Sequence, residues 1–283
     1  GIMRSSEIAG WHIGTGICLL IILTVSKYSG FKGLLTVFAI VLMLAAIAVT
    51  GRRKMLFQVV LFSVLYLPII RYYQNRMPVR YMLLIALFVP IAWLAFNQLS
   101  AIQAESQFDL YVLRGTSVFG DATQRFNDLG LGSVSWAINR YGLLGGGIGV
   151  AAQGAQHLGG ALAGGASEGG IGKIVSELGA FSLPLLLWLV AAIGLHIHRC
   201  LRLLGQYSPE SLFMMVGILV FLTANVPTFV VASQVYGDVF VLSTLGLLLG
   251  TLFAIPKQLV AQIEAQRVFD FSDSGRDAMQ PQR

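Results

Sequence analysis

Between Tyr141 and Lys173 the chain reads YGLLGGGIGVAAQGAQHLGGALAGGASEGGIGK. Glycine at this density permits positive φ and close backbone approach, so the segment can aim amide donors at a phosphate or a sugar, as glycine-rich nests do. The same composition also suits short re-entrant pieces packed tightly between helices, where small residues let backbones meet. It is too rich in glycine to predict as a helix and too apolar for an ordinary linker. A second feature is the run Arg52, Arg53 and Lys54, three cations in one short turn that either hold an anionic ligand or are tolerated because the turn is tight. Arg114 and Arg140 are either alternative ligands for an anion or ordinary solvated residues and ion-pair partners of Asp109, Asp121 or Asp128. Tyr111, Phe119, Phe126, Trp136 and Tyr141 can stack on sugar faces or anchor segments at a membrane interface. Asn225 and Pro227 interrupt an apolar run, marking either a kink with a freed carbonyl or a packing feature.

Two nucleotide motifs fail on context. Gly147-Ile-Gly149-Val-Ala-Ala152 matches GxGxxA as a string, but no strand is predicted before it and no acidic ribose partner follows. Gly172-Lys173 lacks the glycine five residues before Gly172 and is followed by Ile174 rather than Ser or Thr, so it is no P-loop. Cys18 and Cys200 stand far apart, in or beside apolar runs, and read as small core residues rather than a disulfide or zinc framework.

These residues must be held by membrane helices. Of 283 residues 56% are hydrophobic and only 11% charged, against about 25% charged in ordinary soluble domains, and the mean hydropathy is +0.76. Crossing about 30 Å of hydrocarbon takes about 20 mostly apolar residues. Runs of that kind occupy approximately 8–25, 34–50, 55–70, 81–96, 181–195, 212–231 and 239–255, with no barrel-like alternation. The expectation is an all-α, polytopic membrane helix bundle of about seven transmembrane helices, with a long glycine-rich external loop between the fourth and fifth. Four regions follow: a four-helix membrane segment over 1–97, the external loop with the site candidates over 98–179, a three-helix membrane segment over 180–256, and a cytoplasmic tail over 257–283. In the tail, 258–267 is expected to extend the last helix briefly before 272–283 becomes disordered. The chain opens Gly1-Ile2-Met3-Arg4, with neither an initiator at position 1 nor the features of a signal peptide, so it is expected to be a fragment and seven a lower bound.

Cationic residues sit at helix ends, where headgroups and orientation account for the net charge of +6 without nucleic acid. With the long loop outside, Lys27, Lys32, the 71–80 turn, Arg199, Arg202 and the tail face the cytoplasm, and only Arg52, Arg53 and Lys54 disobey the positive-inside rule. An anionic ligand at the outer surface would compensate them.

The order of Thr50-Gly51-Arg52-Arg53, Asp121-Ala-Thr123-Gln-Arg125, the Gly145–Gly149 run and Glu177-Leu178-Gly179 resembles the bacterial O-antigen polymerase and O-antigen ligase superfamily, loosely but over most of the chain. The resemblance implies a fold similar to membrane glycosyltransferases of the GT-C type. It also implies transfer of a glycan from a polyprenyl diphosphate carrier to a sugar hydroxyl at the outer face of the bacterial inner membrane, without metal, nucleotide or other cofactor. Implied partners are the lipid-linked oligosaccharide, an acceptor glycan or lipid, membrane lipid and other polysaccharide-assembly membrane proteins. Arginines suit the anionic diphosphate leaving group, which assigns Arg125 and Arg52 or Arg53 to it. The family places a His-Asn pair eleven residues before the glycine of its Glu-x-Gly; here that position is Glu168, and His157 lies a further eleven back. Glu168 is the expected base because the register to Glu177 and Gly179 is kept, with His157 as the second candidate.

Three other readings remain. A transporter or flippase calls for buried ionisable groups and broken helices inside the spans, which are nearly free of charge here. A glycan polymerase of the cell-division and elongation type shares a glycine-rich external loop and a Glu-Leu-Gly helix start, and would require a partner transpeptidase. A scaffold without chemistry would use the glycine segment for packing alone.

Overall fold

The computed structural model describes residues 5–26, 31–50, 53–73, 126–151, 169–231 and 233–277. All regular structure among them is helical. The elements are α1 (Ser6–Ser26), α2 (Phe31–Thr50), α3 (Arg53–Tyr73), a π-helical turn Phe126–Leu131 running into α4 (Gly132–Tyr141), α5 (Gly170–Leu178), α6 (Ser182–Tyr207), α7 (Pro209–Val231), a 3-10 turn Ser233–Gly237 and α8 (Val239–Asp277).

Five stretches among the described residues are long and apolar enough to cross a membrane: Ser6–Ser26, Met55–Tyr73, Ser182–Tyr207, Pro209–Val231 and Val239–Gln266. This is consistent with a membrane protein. In α2 a shorter apolar stretch covers Phe31–Ile47. Of the seven expected runs, 81–96 lies outside the described residues, and the other six fall almost entirely within α1, α2, α3, α6, α7 and α8.

A helix suits these sequences because it closes its own backbone hydrogen bonds where no water is at hand. The few hydroxyls inside the spans do likewise. Thr15, Thr24 and Ser63 donate to the carbonyls of Trp11, Leu20 and Val59, one turn back, at 2.8, 2.7 and 2.9 Å.

Helix α7 is the hub, packing against α1, α3, α6 and α8. From α3, Met55, Val59, Phe62, Tyr66 and Ile70 recur at helical spacing and are all buried. They pack with Trp11, Ile17, Cys18 and Ile21 of α1 and with Leu212, Val216, Val220 and Phe221 of α7. On α6 the burial is reversed: Leu185, Leu187, Trp188, Val190 and Leu195 are exposed, although the helix is apolar throughout. Apolar residues on the inner and outer faces together are the pattern of a helix whose solvent is lipid.

Cross-helix contacts define two ends. At one, the Tyr66 hydroxyl donates to the Phe213 carbonyl at 2.9 Å and Tyr73 shares a hydrogen bond with His198. Arg71 is in the last turn of α3, Glu210 is in the first turn of α7, and Arg202 of α6 is within electrostatic reach of Tyr73. At the other, Trp11 meets Asn225, and the π-helical turn and α5 lie beside α7, with α4 packed against both of them; this group carries Asp128, Arg140, Lys173 and Glu177.

The structure differs from the sequence reading in two places. The region expected as one long loop holds the helices α4 and α5, and α5 includes Gly170 to Lys173, which composition alone argued against. The last helix continues to Asp277, well beyond the brief extension expected, because 258–267 is rich in Ala, Gln, Leu and Arg, which propagate a helix readily once it has started.

Candidate functional site

The described part of the glycine segment folds as a clasp around the end of α5. That helix stops at Gly179, whose φ of 79° and ψ of 178° lie in a region that only glycine occupies readily. The amide of Gly146 donates to the Ser176 carbonyl at 2.7 Å and that of Gly147 to the Glu177 carbonyl at 3.2 Å. In return the Ala180 amide donates to the Leu143 carbonyl at 2.9 Å. The final carbonyls of a helix lack intrahelical donors, and here the glycine run supplies them. Two of the amides available for a ligand are therefore engaged within the protein. Those of Gly145, Ile148 and Gly149 donate to no backbone carbonyl of the described residues.

Approach at this distance demands glycine. A β-carbon on Gly179 would lie 2.4 Å from the Leu143 oxygen, and one on Gly145 would lie 2.6 Å from the Gly179 nitrogen. Both residues have a φ of 79°. The ring of Tyr141 covers Gly146 and stands edge-on to Trp136, with 6.0 Å between ring centroids.

The start of α5 is fixed as firmly as its end. A β-carbon on Gly169 would lie 2.1 Å from the Leu129 carbonyl oxygen of the π-helical turn, and one on Gly170 would lie 2.5 Å from the Phe229 ring of α7. Phe229 meets Tyr236 edge-on at 5.5 Å. The Tyr236 hydroxyl donates to Asn225, whose Oδ1 also accepts from Trp11 Nε1 at 2.8 Å, while Asn225 Nδ2 donates to the Phe221 carbonyl. Burial pushes the Tyr236 phenol upward, so it remains a donor. Contacts thus run from α5 through α7 to α1. The helix continues through Pro227, and Asn225 is a packing residue that gathers three elements.

Lys173 of α5 is half-buried. Burial lowers its pKa below the ordinary lysine value, and Glu177, one turn on, acts in the opposite direction. Ser176 is fully buried and its hydroxyl has no hydrogen-bond partner in the structure. Among the described residues no three His, Cys, Asp or Glu side chains cluster closely enough to hold a metal ion.

Comparison with protein-family models, curated proteins and solved structures finds no match.

Of the residues expected to act, Arg52, Arg125, His157 and Glu168 lie outside the described residues, and Arg53 is the first residue of α3. Arg114, Asp109, Asp121, Tyr111 and Phe119 also lie outside them. What comes together is the glycine run 145–149 and the Glu177-Leu178-Gly179 turn, joined by backbone hydrogen bonds. In the sequence Lys173 stands out only as part of a failed P-loop. Its spacing of one helical turn from Glu177 was the available signal for a lysine within a helix.

Proposed function

We propose that this protein transfers a glycan from a polyprenyl diphosphate carrier to a sugar hydroxyl, in polymerisation or ligation of a surface polysaccharide such as O-antigen, capsule or exopolysaccharide. Its place would be the bacterial inner membrane, with the clasp facing the periplasm or exterior. One observation carries this reading: the two glycine motifs of the resemblance, remote in sequence, are locked together at one end of the spans.

Sequence adjacency to fixed points supports the residue assignments. Arg125 immediately precedes the π-helical turn, and Glu168 immediately precedes Gly169, which is pressed against Leu129 of that same turn. His157, eleven residues before Glu168 in the sequence, is the second candidate for the base. In the proposed reaction an acceptor hydroxyl attacks the anomeric carbon and gives its proton to Glu168. The bond from that carbon to the diphosphate oxygen breaks, and the diphosphate leaves with the electron pair. Arg125, with Arg52 or Arg53, holds this anion and stabilises the charge that develops on it.

The test is a strain lacking the gene, complemented with wild type, Arg125→Ala or Glu168→Gln, with surface glycan resolved by length on a gel and protein levels measured in membranes. Wild type should restore long chains, while both variants should leave single repeats on the carrier. Long chains restored by Arg125→Ala would overturn the reading.

A transporter or flippase is the second reading. Its support is Gln58 of α3, fully buried with neither amide atom hydrogen-bonded, and the buried His12 Nε2 of α1, both polar groups within spans. A glycan ladder unchanged by deletion would favour it.

A further inference from the structure

We propose that the clasp is a membrane anchor, with Leu143, Leu144 and Ile148 seated in the headgroup and upper acyl region of the leaflet where α6 begins. The partner is the lipid bilayer, and the inference holds whether or not glycan transfer is the reaction.

Position carries the first part of the argument. The Ala180 amide bonds the Leu143 carbonyl, and the Ser182 amide bonds the Gly179 carbonyl at 3.2 Å. The clasp is therefore tied to the first turn of α6, which is a candidate membrane span. It lies where that helix would enter the lipid.

Chemistry carries the second. Leu144 is 79% exposed and Ile148 89%, and Leu143, Leu178 and Phe181 beside them are exposed as well. No charged residue occurs between Tyr141 and Ala151. This apolar tip continues into Leu185 and Trp188, which form part of the outward apolar face of α6. Water would leave the whole surface unburied, whereas lipid covers it in one continuous contact.

The polar groups set the depth. The amides of Gly145, Ile148 and Gly149 need acceptors, so the backbone belongs among headgroup phosphates and water rather than in the hydrocarbon centre. Trp136 and Tyr141, paired edge-on just before the clasp, are the residue types that collect at this level.

The experiment uses the full chain in phosphatidylcholine nanodiscs, with Cys200→Ser and a single cysteine at position 144 or 148 carrying an environment-sensitive fluorophore. Cys18 is fully buried and remains in place. Leu187→Cys on α6 gives the lipid reference, and the dye joined to free cysteine gives the aqueous one. Quenching by a spin-labelled lipid with its label near the headgroup should reach at least half the extent seen at 187, with iodide quenching reduced several-fold from that of the free dye. Weaker lipid quenching than this at both positions overturns the proposal. If one variant does not give a wild-type melting transition, the other decides.

Discussion

A β-carbon on Gly145 would lie 2.6 Å from the amide nitrogen of Gly179, a residue far along the chain and on the other side of a helix. Two backbones meet there with no side chain between them, and both glycines have positive φ. Replacing either with alanine should cost roughly 1–3 kcal/mol from the backbone conformation alone, with the clash in addition. Gly147, with a φ of 93° and nothing within 4 Å of an added β-carbon, separates the two contributions. Its alanine variant should lower the melting temperature in detergent less than Gly145→Ala or Gly179→Ala does.

Gly170 tests how α5 is held to α7. An added β-carbon would meet both the Phe229 ring and, at 2.6 Å, the Phe229 carbonyl oxygen. Gly170→Ala should destabilise by about 1–3 kcal/mol, the usual cost of overpacking. Adding Phe229→Ala relieves the ring contact and leaves the carbonyl contact, so rescue should be partial. Complete rescue, measured by thermal unfolding, would mean that the backbone yields freely.

Within the spans, Gly217 of α7 faces Ile22 of α1, whose Cγ1 would lie 2.4 Å from an added β-carbon. Here the obstacle is a side chain. Gly217→Ala should destabilise the helix pair, and a second change, Ile22→Ala, should recover most of the loss. Thermal unfolding of the two single variants and the double variant would check this.

Asn225 accepts from Trp11 Nε1 and Tyr236 at once. Asn225→Ala leaves the indole N–H without an acceptor in an apolar interior, at a cost of about 1–2 kcal/mol for hydrogen bonds of this kind between membrane helices. The loss belongs to the pair, so Trp11→Phe should cost less in the Asn225→Ala background than in wild type. Equal costs in a double-mutant cycle would show that the bond contributes nothing to stability.

Lys173 provides a pH test. Its folded pKa lies below the unfolded one, so the folded state releases this proton more readily. Its contribution to stability should be present in full above the ordinary lysine pKa and should fall away as pH drops through the lowered folded value. Amine labelling followed by mass spectrometry should show Lys173 reaching half-maximal reactivity below the ordinary lysine range. Glu177→Gln removes the opposing charge and should move that midpoint lower still.

The spans were legible in the sequence because apolar composition over the required length is a local property, and 8–25, 55–70, 212–231 and 239–255 all lie within helices that can cross a membrane. The glycine segment was legible as unusual but not as a clasp. Positive φ at Gly145 and Gly179 follows from a meeting between distant parts of the chain, and nothing near either residue specifies the other. Helix α5 was hidden for the opposite reason: Gly170 and Gly172 weaken local helix propensity, and packing against Leu129 and Phe229 overrides it.

The sequence by itself pointed to lipid as the solvent, since long uncharged runs that form helices close their backbone hydrogen bonds internally, as a hydrocarbon interior requires. It also determined where charge could sit, at the ends of those runs. Tertiary structure alone decided the use of the glycine amides. Gly146 and Gly147 complete the end of a helix many residues away, because its last carbonyls had no donor of their own and the bare α-carbons of Gly145 and Gly179 let the two backbones come close enough to supply one.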